Sequence, residues 1–109
     1  MPKYLWQVSY TPQGVQGLVK EGGAARRTAV NRLVEQAGGK LESFHFAFGE
    51  ADAYCIAELP DTATAAAVSL AVNAAGAVHL RTVPLFTPEE LDAASKKSID
   101  YRPPGSPGR

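Results

Sequence analysis

Between Lys40 and Leu59 two runs alternate with the period of a strand: Phe44, Phe46 and Phe48 with His45 and Ala47, then Tyr54 and Ile56 with Ala53, Cys55 and Ala57. A period of two sends successive side chains to opposite faces of a sheet, and Gly49 between the runs marks a reversal, so the stretch predicts a hairpin. Lys3 to Tyr10 alternates Tyr4, Trp6, Val8 and Tyr10 with Leu5, Gln7 and Ser9 and predicts a first strand. Ala77 to Phe86 predicts a fourth strand, and Pro84 puts it at an edge or at the end of pairing, because proline cannot donate to a ladder.

Between the strands the period lengthens. Thr11-Pro12-Gln13-Gly14 reads as a capped helix start, and Val15, Leu18, Val19, Gly22, Ala25, Ala29, Leu33, Val34 and Ala37 keep helical phase, which predicts one long helix closed by Gly38-Gly39. Gly22-Gly23 inside it implies either a kink or a close approach of Gly22 to the sheet; the unbroken phase predicts the close approach. A second helix runs from Asp61 or Thr62 to Gly76, with Ala63, Ala66, Ala67, Leu70, Ala71 and Ala74 as the stripe expected against large side chains of the sheet. Thr87-Pro88-Glu89-Glu90 opens a short helix to Lys97. Residues 1–98 then form one domain, and the Pro- and Gly-rich 99–109 are expected to be a mobile tail.

The order strand, helix, strand, strand, helix, strand predicts an α+β fold of the ferredoxin-like βαββαβ type, a four-stranded antiparallel sheet with both long helices on one face, plus the short C-terminal helix. Large side chains facing small helices would put Trp6, Val8, Phe44, Phe46, Tyr54 and Ile56 inward. Leu5, Gln7, Ser9, Leu41, Ser43, His45, Ala53, Cys55, Ala57, His79, Arg81 and Val83 would then share the open face. The reverse assignment is the alternative. A mixed open face of this kind suits sheet-on-sheet association of two copies around a small lumen.

Composition narrows the functional classes. Lysine plus arginine equals aspartate plus glutamate, 11 against 11, so no net field gathers nucleic acid or anionic lipid, and neither is an expected partner. No apolar run approaches the ~20 residues of a membrane span, and the N-terminal residues lack a signal peptide's apolar core, which predicts a cytoplasmic protein. With one cysteine in 109 residues no intrachain disulfide can form, and Cys55 amid apolar neighbours reads as a packed, inert thiol rather than a nucleophile.

The segments KYLWQVSYT at 3–11, GLVKEGG at 17–23, FAFGEADAY at 46–54, SLAVNAAGAV at 69–78, TPEELD at 87–92 and YRPPG at 101–105 resemble the GYD-domain family of small bacterial proteins along nearly the whole chain. The resemblance implies a dimeric α+β barrel and a homodimer or higher even oligomer; it implies no particular activity. The family's Gly-Tyr-Asp signature at the hairpin turn has its nearest match in Gly49-Glu50-Ala51-Asp52, where the tyrosine is missing.

Candidate chemistry gathers on the open face. His45, with His79, would serve as a general base or half of a metal site, the alternative being a hydrogen-bonded interface histidine; two histidines without a carboxylate or thiolate companion predict no metal, and no cofactor is predicted. Asp52 would orient a histidine or hold a substrate hydroxyl, or else bond turn amides. Glu50 reads as solvated, Tyr10 and Tyr54 as phenol donors or packing residues, and Arg81 as a partner for a carboxylate. Arg26 and Arg27, behind glycines with no phosphate-loop spacing, read as a solvated helix face. The ligand-contacting set is thus Gln7, Ser9, His45, Tyr54, His79 and Arg81, with His45 and Asp52 the catalytic candidates. The function these features predict is an oligomeric small-molecule binder with its pocket on the sheet face; the alternatives are a cofactor-independent isomerase, cyclase or monooxygenase with His45 as base, and a structural assembly module. The sequence does not choose between enzyme and binder.

Overall fold

The computed structural model describes residues 1–107. Its elements are β1 (Lys3–Tyr10), α1 (Pro12–Glu21), α2 (Gly23–Gln36), β2 (Lys40–Phe46), β3 (Ala53–Glu58), α3 (Thr62–Ala75), β4 (Val78–Leu85) and α4 (Pro88–Ser95). The strands form one sheet in the order β2-β3-β1-β4, every neighbouring pair antiparallel. This is the ferredoxin-like arrangement, with the β1 and β3 strands central and Pro84 on an edge strand as its missing N–H requires.

Local chemistry sets most boundaries. The Thr11 hydroxyl caps α1, accepting from Gly14 N at 3.2 Å, and lies 3.1 Å from Ala77 O, which ties the helix start to the turn before β4. Asp61 caps α3 through Thr64 N at 2.8 Å, and that bond holds the Asp61 carboxyl below its usual pKa. Gly76 ends α3 in the left-handed conformation. Thr87 and Glu90 form a reciprocal capping box at α4. Along β4, the Asn73 side chain accepts from Leu80 N at 2.7 Å and donates to Leu80 O at 3.2 Å, occupying edge groups that would otherwise invite another strand.

Three expectations need correction. The long helix is two helices, broken at Gly22 with φ 91° and ψ 158°, a backbone region nearly closed to side chains. No neighbour lies within 4 Å of where a Gly22 Cβ would stand, so Gly22 makes no close approach. That role falls to Gly14, whose Cβ would collide with the Ala77 carbonyl oxygen. Second, β3 faces the other way: Ala53, Cys55 and Ala57 are buried beneath the helices, while Tyr54 and Ile56 stand on the open face. Leu41, opposite Ala57, follows it to the helical side, and the irregularity between Leu41 and Ser43 returns Ser43 to the open face. Third, α3 is turned. Ala65 and Val68 are buried and Val72 packs on the core, whereas Ala63, Ala66, Ala67, Leu70, Ala71 and Ala74 face outward, Leu70 at 73% exposure.

The core is built on Tyr4, Trp6, Val34, Cys55, Ala57, Leu59, Ala65 and Val68. Phe44 lies at its margin, and Phe46 meets Phe44 edge to face at 5.0 Å. Nothing in α4 is buried. The radius of gyration of 17.7 Å exceeds the ~13 Å of a compact chain this long, as an arm extending beyond β4 requires. Of the tail expected at 99–109, residues 108 and 109 lie outside the described residues.

The two kinds of glycine give opposite outcomes. Gly22→Ala should destabilise by about 1–3 kcal/mol through backbone strain alone. Gly17→Ala, in the first helix with open space around its Cβ, should stabilise by up to about 1 kcal/mol. Chemical denaturation checks both, and a Gly22→Ala midpoint at or above that of the parent would contradict the assignment.

Candidate functional site

Antiparallel partners share a face, so the register reads out the open face rung by rung. Across the order β2, β3, β1, β4, one rung is Ser43, Ile56, Leu5 and Val83; the next is His45, Tyr54, Gln7 and Arg81; Ser9 and His79 pair beyond them. On the other side of the apolar rung, Lys3 stands between Glu58 and Leu85, and its ammonium donates to Glu42 Oε1 at 2.7 Å. That bond raises the Lys3 pKa. The face therefore passes from a charged end through an apolar band to a polar end.

At the polar end Gln7, Ser9, Tyr54, His79 and Arg81 line a hollow of about 320 Å³, closed on one side by Glu50 and Ala51 of the hairpin turn. Five of the six expected ligand contacts are thus brought together. His45 is outside the hollow, exposed on β2. His45 and His79 stand on the two edge strands, three strand spacings or ~14 Å apart across the sheet, too far to act as a pair within one chain. Among the described residues no group of three or more His, Cys, Asp or Glu side chains could hold a metal ion. Glu50 is exposed, as expected, and is also the acidic member of the lining.

Asp52 serves the backbone. Its carboxylate accepts from Tyr10 N at 2.8 Å, its own N–H donates to Val8 O at 2.7 Å, and its carbonyl accepts from Ala47 N at 2.7 Å. One residue thereby joins the hairpin turn to the last residues of β1, extending the β1–β3 ladder with a side chain. Asp52 neither reaches a histidine nor lines the hollow. Cys55 is 2% exposed on the helical side, and burial pushes its thiol up to about 12, the inert state expected of it.

An α+β domain with helices on one face of an antiparallel sheet and a ligand-sized polar hollow on the other is the class these features define. The chain belongs to the GYD-domain family, whose model matches residues 4–95. Neither a curated protein nor a solved structure matches it significantly. Among the described residues no helix is long and apolar enough to cross a membrane.

Asp52→Ala should cost about 1–2 kcal/mol by leaving the Tyr10 amide without its acceptor, and Asp52→Asn, which keeps an acceptor oxygen, should cost less than half as much in parallel denaturation curves. The Cys55 thiol should resist a disulfide reagent at pH 8 until the protein unfolds. Labelling faster than global unfolding would show that the thiol is not enclosed.

Proposed function

We propose that this GYD-domain protein is a homo-oligomeric small-molecule-binding module in which two copies oppose their open sheet faces and the polar hollow lines the space between them. The observation that carries this reading is the convergence of Gln7, Ser9, Tyr54, His79 and Arg81 beside the apolar rung of Leu5, Ile56 and Val83. The rung supplies a surface to be covered: Val83 and Leu85 remain 38% and 37% exposed, and Phe86 just beyond them 66%. An amide, two hydroxyls, an imidazole and a guanidinium make most of the lining donors, with the Glu50 carboxylate the acidic member at the turn side, and Arg81 can grip a carboxylate with two parallel hydrogen bonds. The ligand class that fits is a small polar metabolite carrying a carboxylate. Enzymatic use of His45 as a base has less support, because His45 lies outside the hollow and the histidine within it is His79.

Light scattering at micromolar concentration should give a dimer or a higher even oligomer, and Ile56→Lys should shift it to monomer with the far-ultraviolet spectrum unchanged. Chemical-shift mapping against small carboxylate metabolites should move Gln7, His79 and Arg81 together. A monomeric parent protein would defeat the assembly. A dimer whose hollow binds nothing in the mapping or in native mass spectrometry would leave a structural assembly module as the function.

A further inference from the structure

The helical side of the sheet holds a second cavity, separate from the hollow. It has a volume of about 240 Å³ and lies between the sheet, α2 and α3, with Trp6, Tyr10, Arg26, Phe44, Val72 and Leu80 in its wall. Most of that wall is aliphatic or aromatic. Arg26 is its one formally charged residue and no carboxylate belongs to it. Among the described residues, the buried side-chain nitrogen and oxygen atoms without a hydrogen-bond partner are the Trp6 indole Nε1 and the Arg26 Nε, and both residues line this chamber. Trp6 is itself 3% exposed. Glu21 Oε1 stands 3.6 Å from Arg26 Nε, near enough for Coulomb attraction and too far for a hydrogen bond.

Buried donors nearly always have a hydrogen bond, and two residues lining one apolar chamber each hold a buried donor without one, although the Arg26 side chain as a whole is 36% exposed; an acceptor inside the chamber would satisfy them. A water molecule needs several polar partners, which a wall this apolar scarcely provides. Tyr10 lines the same chamber, and burial raises its pKa. An occupant matched to these surroundings has an apolar body to fill the space and one anionic head to accept from the donors.

We propose that the chamber between the helices and the sheet is a binding site for an apolar carboxylate, a small molecule whose aromatic or branched body packs on Phe44, Val72 and Leu80 and whose carboxylate accepts hydrogen bonds from Trp6 Nε1 and the Arg26 guanidinium. The site is independent of the hollow on the open face, since the two lie on opposite sides of β1. Arg26, which looks like a solvated helix residue in the sequence, becomes the residue that selects the charge of the ligand.

Trp6 is the sole tryptophan, so its indole N–H resonance in nitrogen-15-labelled protein reports on this chamber alone. Titration with 3-phenylpropionate should move that resonance saturably while the Gln7 side-chain amide and the His79 ring stay in place. The uncharged 3-phenyl-1-propanol should bind at least about tenfold more weakly. Arg26→Gln, at a partly exposed position, should erase that preference without unfolding the domain, and Val72→Phe should fill the space and abolish the shift. A Trp6 resonance that does not saturate in the parent protein overturns the proposal, as does equal affinity for acid and alcohol. Movement of Gln7 and His79 with Trp6 unmoved would place the acid in the hollow and overturn it equally.

Discussion

The structure depends on how much side-chain volume the two central strands place against the helices. Trp6 of β1 and Cys55 of β3 stand opposite one another, and both are buried in the same cluster. With Tyr4 and Trp6 already occupying the middle of that layer, the adjacent strand can present only small side chains there, and Ala53, Cys55 and Ala57 satisfy the limit. A second row of large side chains beside Tyr4 and Trp6 would have closed the chamber that Trp6 and Cys55 line or forced the helices outward. Once β3 is turned this way, Tyr54 and Ile56 must lie on the open face, because a period of two allows no other outcome. The tyrosine of the hollow and the isoleucine of the apolar rung are consequences of packing on the opposite side.

Sequence reasoning recovered what local chemistry decides. Strand positions follow from alternation, and the caps at Thr11, Asp61 and Thr87, the stops at Gly38 and Gly76 and the edge placement of Pro84 follow from properties of single residues. It failed where volume had to be shared between neighbours. Complementarity between sheet and helix does not decide the faces of β3; the deciding competition lies within the sheet, between β1 and β3. The turned α3 has a related cause: nearly all of TATAAAVSLAVNAA is apolar or small, so its phase contains little information, and Val68 and Val72 are seated by the space above Trp6 and Leu80. Gly22 misled for another reason. Hydrophobic phase continues across the break because Ala29, Leu33 and Val34 follow at helical spacing, but phase cannot reveal a positive φ.

The hollow was largely legible because polar residues on alternating strands must converge if the strands pair in register. Gln7, Ser9, His79 and Arg81 follow from that rule. The supposed histidine pair does not, since alternation places residues on a face without saying how many strands separate them. The order β2-β3-β1-β4 puts His45 and His79 at the two margins. Asp52 was legible only as a turn residue; that its carboxylate reaches across to β1 depends on a contact between positions 42 residues apart. The chamber under the helices was illegible, because Trp6 and Tyr10 look in sequence like ordinary core aromatics and Arg26 like an ordinary surface cation.

Both candidate sites draw on one strand. Along β1, Trp6, Val8 and Tyr10 point to the chamber while Gln7 and Ser9 point to the hollow, so consecutive residues serve opposite faces. The end of β1 is held in register by β4, whose ladder runs to Tyr10 opposite Val78, and on its other side by β3. There the ordinary ladder has run out, with Val8 opposite Ala53 as its last rung, and the Asp52 carboxylate holds the Tyr10 amide in place of a further backbone partner. A slip of one residue at that point would exchange Ser9 and Tyr10 between the faces, placing a hydroxyl among the core side chains and a phenol ring in the hollow. The hairpin-turn aspartate thus helps β4 to hold groups on both faces while lining neither cavity, which accounts for an acidic side chain being spent on a single backbone hydrogen bond.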